Sequence, residues 1–133
     1  MREELDKLLC KKYPKIFADR NKPMTETAMC WGFECGDGWF DLIDNLCSSI
    51  QNHIDYNHAP QIVAEQVKEK FGSLRFYYRG GDDKISGMVS FAEKLSGKTC
   101  EVCGAPGKTR GKGWYYTACD AHAKPGDLGD EIV

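Results

Sequence analysis

A chain of 133 residues, 41% hydrophobic and 29% charged, is long enough to bury the core of one domain and too ordinary in balance for a disordered or membrane class. Its formal net charge of −2 excludes a global attraction to nucleic acid, so any anion site must be local. No apolar run approaches the roughly 18 residues that span a bilayer, and the start, MREELDKLLCKKYPK, has no signal-peptide stretch; seven cysteines, an odd count, then suit metal ligation and buried thiols in a reducing cytoplasm.

Leu5, Leu8 and Leu9 recur at helical spacing from Arg2 to about Lys12 and predict a short helix before Pro14. The next segment, KYPKIFADRNKPMTETAMCWGFECGDG, holds two prolines and no sustained period, and reads as a long structured loop. Gly38 opens the clearest helix, with Trp39, Leu42, Ile43, Leu46, Cys47, Ile50 and Ile54 on one apolar stripe. Asp37, Asp41 and Asp44 lie elsewhere on its first turns, where carboxylates complement the helix dipole.

In QIVAEQVKEKFGSLRFYYRGG, Leu74, Phe76 and Tyr78 alternate with Arg75, Tyr77 and Arg79, the pattern of a half-exposed strand. A hairpin turning at Gly72 and Ser73 is predicted, its first strand covering roughly residues 62–69, although Val63, Val67 and Phe71 also suit a helix. Asp82 or Asp83 then caps a helix with Ile85, Met88, Val89, Ala92 and Leu95 on its apolar face and Gly97 as its stop.

Cys100 and Cys103 are spaced to aim two thiolates at one ion from a tight turn, and Cys119 and His122 repeat that spacing 15 residues later. GKTRGKGWYYT between the pairs reads as a glycine-turned hairpin with Lys108, Arg110 and Lys112 at its tip. Four protein ligands make a closed Cys3His zinc site, which is structural because catalytic zinc needs an open position. The deaminase pattern is excluded, since there is no His-x-Glu and Thr99 replaces the proline before the first cysteine. Cys10, Cys30, Cys35 and Cys47 read as core thiols, with a second site of Cys30, Cys35, Cys47 and His53 as the alternative.

Two clusters are candidates for ligand binding. CWGFECGDGW gathers Trp31, Glu34, Asp37 and Trp39 around three glycines, which suits either a stacking wall with polar contacts or a packed turn. Lys68, Lys70, Arg75, Tyr77 and Arg79 form a basic and aromatic set on the hairpin, suited to phosphate and base contact or simply to solubility. Standard catalytic motifs are absent, and His53 and His58 have no recognisable partner. Glu34, Asp37, Asp41 and Asp44 are the best candidates for a metal-dependent hydrolase, although solvated acids at a helix start explain the spacing of Asp37, Asp41 and Asp44 equally well.

With CWGFECGDGWFDLIDNLC, QVKEKFGSLRFYYRGG, and CEVCGAPG followed by GW and TACDAH, the chain resembles a family of small bacteriophage- and prophage-encoded proteins from about Tyr13 to His122. The resemblance implies an accessory gene product in a bacterial host cytoplasm that counters host defence or redirects host machinery, and it lends no catalytic residues. The expectation is therefore an α+β core over residues 1–97, a zinc ribbon or treble-clef-like element over 98–124, and an acidic tail over 125–133. A nucleotide, a nucleotide-derived signal or a short nucleic acid is the expected ligand; a host protein is the alternative partner.

Overall fold

Three helices and a three-stranded mixed sheet enclose the core, and a two-stranded hairpin carrying the last cysteine packs beside them; the computed structural model describes residues 1–128. Helix α1 (Glu3–Lys12) buries Leu9, and its end is tied to the second helix: Lys12 Nζ lies 2.7 Å from Asp44 Oδ1, and the Tyr13 hydroxyl donates to the Asp44 carbonyl at 3.0 Å. The long loop that follows is part of the core. Ile16, Phe17 and Met29 are buried, the Ile16 carbonyl accepts from Ala64 N–H at 2.7 Å, and Phe17 meets the edge of Phe33 with ring centroids 4.9 Å apart. After a 3-10 turn at Met29–Trp31 comes strand β1 (Phe33–Glu34), which the sequence does not reveal because two residues display no period.

A second 3-10 turn, Asp37–Trp39, precedes α2 (Phe40–Asn57), so the regular helix starts two residues after Gly38. Its stripe behaves as predicted: Trp39, Ile43, Leu46, Cys47, Ile50 and Ile54 are buried, and Leu42 packs partly against them. Strands β2 (Val63–Lys70) and β3 (Ser73–Arg79) form the antiparallel hairpin, which excludes the helical reading of this segment. The turn sits one residue earlier than expected, on Phe71 and Gly72, whose φ values of 54° and 84° are both left-handed.

Register decides which side chains face the core. β1 runs parallel to β2 with Phe33 beside Val67 and Glu34 beside Lys68, while Val67 pairs with Phe76 and Lys68 with Arg75 across the hairpin. Since side chains alternate along strands, Phe33, Val67 and Phe76 form a buried row and Glu34, Lys68 and Arg75 an outward row. Helix α3 (Asp83–Ser96) covers the inner side with Ile85, Val89 and Ala92. Asp82 caps it by accepting from Ile85 N–H at 3.1 Å, and Ser96 Oγ accepts from Leu74 N–H at 2.8 Å. Leu95, placed on its apolar face by periodicity, remains 40% exposed. Strands β4 (Lys108–Arg110) and β5 (Tyr116–Ala118) build the C-terminal hairpin. Among the described residues no helix is long and apolar enough to cross a membrane.

Candidate metal centre and ligand surface

The two ligand pairs are brought together by two different local devices. The CxxC turn is closed by Gly104 N–H donating to the Cys100 carbonyl at 2.9 Å, with Gly104 at φ 81°, while Cys119 caps and His122 ends the 3-10 turn Asp120–His122. The ligand atoms of Cys100, Cys103, Cys119 and His122 lie within 4.8 Å of one another, a cluster that can hold a metal ion. Cys103 and Cys119 Sγ are 3.7 Å apart, and His122 Nδ1 lies 3.2 Å from Cys119 Sγ and 3.7 Å from Cys100 Sγ. Zinc at about 2.3 Å from sulfur and about 2.0 Å from nitrogen sets tetrahedral edges of roughly 3.8 and roughly 3.5 Å. The cluster is therefore consistent with a zinc site that the imidazole enters through Nδ1.

Electrostatics separates Cys100 from the thiols outside the cluster. Burial opposes ionisation of Cys100, but backbone amides of Cys119, Cys103 and Val102 aimed at its sulfur outweigh that cost and bring it down to about 6. Burial instead pushes Cys35 up to about 12 and Cys10 to about 11, and raises Cys47 further still. Such thiols stay protonated and pack as small apolar groups. Among the described residues Cys30, Cys35, Cys47 and His53 form no metal-binding group, and neither do Glu34, Asp37, Asp41 and Asp44. Asp37 accepts from Arg2 N–H at 2.8 Å, Asp44 is held by Lys12, and His53 has the partner that the sequence did not disclose, Asp82 at 2.7 Å from its Nε2.

The GDGW turn is the socket of the metal knuckle. Gly38 N–H donates to the Glu101 carbonyl, Gly36 N–H to Glu101 Oε2 and Trp39 Nε1 to the Thr99 carbonyl, each at 2.8 Å. A Cβ on Gly38 would stand 2.2 Å from the Cys100 oxygen and 2.6 Å from Gly104 N, and one on Gly36 2.3 Å from the Glu101 oxygen. Both glycines are required by backbone-to-backbone approach. Trp39 is 0% exposed, which corrects its place in a ligand wall: its ring is core and its one polar atom is already paired. Trp31, 62% exposed just ahead of β1, does not stack with it.

The basic set does share a surface. Glu34, Gln66, Lys68, Lys70, Arg75 and Tyr77 occupy outward positions of β1, β2 and β3, with Gln66 paired to Tyr77 and Lys68 to Arg75. Arg79, in contrast, is neutralised by Asp19 at 2.7 Å and Glu65 at 3.6 Å. Arg75 Nε is shielded from solvent and makes no hydrogen bond, and Lys70 Nζ lies 5.6 Å from the centre of the Phe71 ring. Beyond Lys70, the residues Glu69, Lys70, Phe71, Gly113, Trp114 and Tyr115 line a cleft of 220 Å³. Phe71 and Trp114 there are 66% and 79% exposed. Neither is among the ligand-binding candidates read from the sequence, although a bulky residue before the glycine of a hairpin turn was a readable signal.

The basic points predicted at the tip of the C-terminal hairpin divide. Arg110 is buried, donating from Nε to the Ala118 carbonyl at 3.0 Å and pairing with Asp120 at 2.7 Å, so it braces the metal hairpin rather than offering charge. Lys112 is exposed. The acidic tail is described only to residue 128; Asp127 is bound there by Tyr116, and residues 129–133 lie outside the described residues. A larger open depression of 520 Å³ lies between the chain start and the metal hairpin, but its charged groups are engaged: Asp37 by Arg2, Glu101 by Gly36, and Lys124 over the Tyr116 ring. No family model, curated protein or solved structure matches the chain.

Proposed function

We propose that this is a phage-type accessory protein that binds its ligand on the outer face of the β1–β2–β3 sheet and uses a zinc ion only to hold its fold. The ligand class is a nucleotide, a nucleotide-derived signal or a short nucleic acid, and sequestering it would blunt a host defence. One observation supports this most: Lys68, Lys70 and Arg75 stand beside Tyr77 on one sheet face with no carboxylate within ion-pairing distance among the described residues, while neighbouring Arg79 is neutralised. Cations beside an open aromatic suit phosphate and base together.

The zinc assignment rests on three thiolates and an imidazole at tetrahedral separations, with all four positions filled by protein. That leaves no place for a reacting water. Native mass spectra should show one zinc per chain. Equilibrium binding of ATP, thymidine monophosphate and the oligonucleotide dT10 tests the surface: at least one should bind, and Lys70→Glu with Arg75→Glu should weaken it by roughly tenfold or more. Unchanged binding in that variant would refute the assignment. Exposed Phe71 and Trp114 favour a second reading, a host-protein inhibitor, for which a lysate complex would survive nuclease treatment.

A further inference from the structure

Phe71 occupies a conformation that its side chain makes costly. With φ values of 54° and 84°, the Phe71–Gly72 turn needs left-handed backbone at both central positions, for which asparagine or aspartate followed by glycine is the unstrained choice. A bulky aromatic at the first position is an outlier. Burial does not compensate the strain, since Phe71 is 66% exposed. Gly72 explains itself, because a Cβ there would come within 3.0 Å of Thr109 Cγ2 and its carbonyl accepts from Thr117 Oγ1. The Phe71 ring has no such structural reason. Strained residues held by their surroundings concentrate at functional positions.

The ring also lies at the end of the cationic row. Lys68 and Lys70 are alternate residues of β2, about 7 Å apart by strand rise, comparable to consecutive phosphates along an extended strand. Tyr77, opposite Gln66, sits at the far end of this row, about 13 Å of strand from Lys70. Open aromatic faces therefore stand at both ends, Tyr77 at one and Phe71 with Trp114 at the other, and cations lie between them. A mononucleotide has one base and can use only one end.

We infer that the ligand of this face is a single-stranded nucleic acid, its backbone following Lys70, Lys68 and Arg75 and its bases stacking on Phe71 and Trp114 at the hairpin tip and on Tyr77 at the other end. This rests on the surface assignment above and narrows it from nucleotides to strands. Stacking on aromatic faces is tolerant of sequence, so homopolymers are adequate probes.

The test is fluorescence anisotropy of labelled dT10, with thymidine monophosphate as competitor, on the zinc-loaded full chain and on Phe71→Asn and Trp114→Ala. The expected result is dT10 binding at least a hundredfold tighter than the mononucleotide, with a log–log salt slope of about −2 for three phosphate contacts. Phe71→Asn should lose roughly tenfold in affinity while its melting temperature stays level or rises, because asparagine relieves the turn. A merely structural ring would give the opposite pattern. Thymidine monophosphate binding as tightly as dT10 would overturn the strand and leave the surface assignment standing; undiminished dT10 binding by Phe71→Asn would overturn the tip placement. Absence of dT10 binding would overturn the strand, and absence of binding to dT10, thymidine monophosphate and ATP alike would overturn both inferences and leave the face to a protein partner.

Discussion

Two turns built from glycine and an aromatic residue, GDGW at 36–39 and FG at 71–72, both touch the C-terminal element, the first its CxxC knuckle and the second its hairpin, yet their aromatics point in opposite directions. At the first, glycines admit the backbone of residues 100–104 and Trp39 enters the core, its indole donating to Thr99. At the second, Gly72 receives Thr109 and Thr117 while Phe71 stays outside in a strained conformation. Composition treats the two alike. What separates them is whether the ring's surface and polar atom already have partners: Trp39 is satisfied, and Phe71 and Trp114 are open.

The contrast is broken most severely by disabling the candidate metal site. Cys119→Ser should forfeit several kcal/mol of the roughly 10 or more that a structural zinc supplies, and the α+β core should lose stability with it because the knuckle rests on residues 36–39; zinc content and a thermal melt read both. Gly38→Ala comes next. Its Cβ meets backbone that cannot yield, so urea unfolding should register a loss of about 3 kcal/mol with the ligands intact. Trp39→Phe keeps most of the apolar bulk but orphans the Thr99 carbonyl, and should cost about 2 kcal/mol.

Smaller effects sharpen the comparison from outside both turns. The Asp19 carboxyl is held at about 2 by hydrogen bonding from Arg79, against its burial and with help from Lys22. Since this lies below its ordinary value of 3.8, the pair's contribution is complete above about pH 4 and disappears as pH falls toward 2; the stability gap between the native chain and Asp19→Asn should close over that window. Gly87, mid-helix in α3 with nothing within 4 Å of a Cβ, should behave unlike Gly38: Gly87→Ala is expected to stabilise by about 0.5–1 kcal/mol in the same urea series.

Much of this arrangement was legible in the sequence, and the remainder shows where local pattern stops. The stripe of α2, the alternation of β3, the cap at Asp82 and the spacing of the four metal ligands are each written within a few turns or strand steps, and each appears in the fold. The destination of GDGW is not local: Trp39 finds Thr99 across 60 residues, and no periodicity encodes that meeting. Strand β1 is too short to have a period, and Arg110, which looked like surface charge, is buried because Asp120 and the Ala118 carbonyl receive its guanidinium. For the proposed ligand face, alternation placed Lys68, Arg75 and Tyr77 on the hairpin, but only the hairpin's turn register exposed Phe71 as its terminus.

The three tryptophans allow one measurement to address both halves of the account. In an amide-correlation spectrum of 15N-labelled protein, the Trp39 indole should be protected from exchange, while those of Trp31 and Trp114, 62% and 79% exposed, should not. Titration with dT10 should then move the Trp114 indole and leave Trp39 in place, whereas zinc chelation should collapse the Trp39 signal. A Trp39 indole that shifts with the oligonucleotide while Trp114 stays fixed would contradict the account, returning the ligand to GDGW and the sheet face to mere solubility.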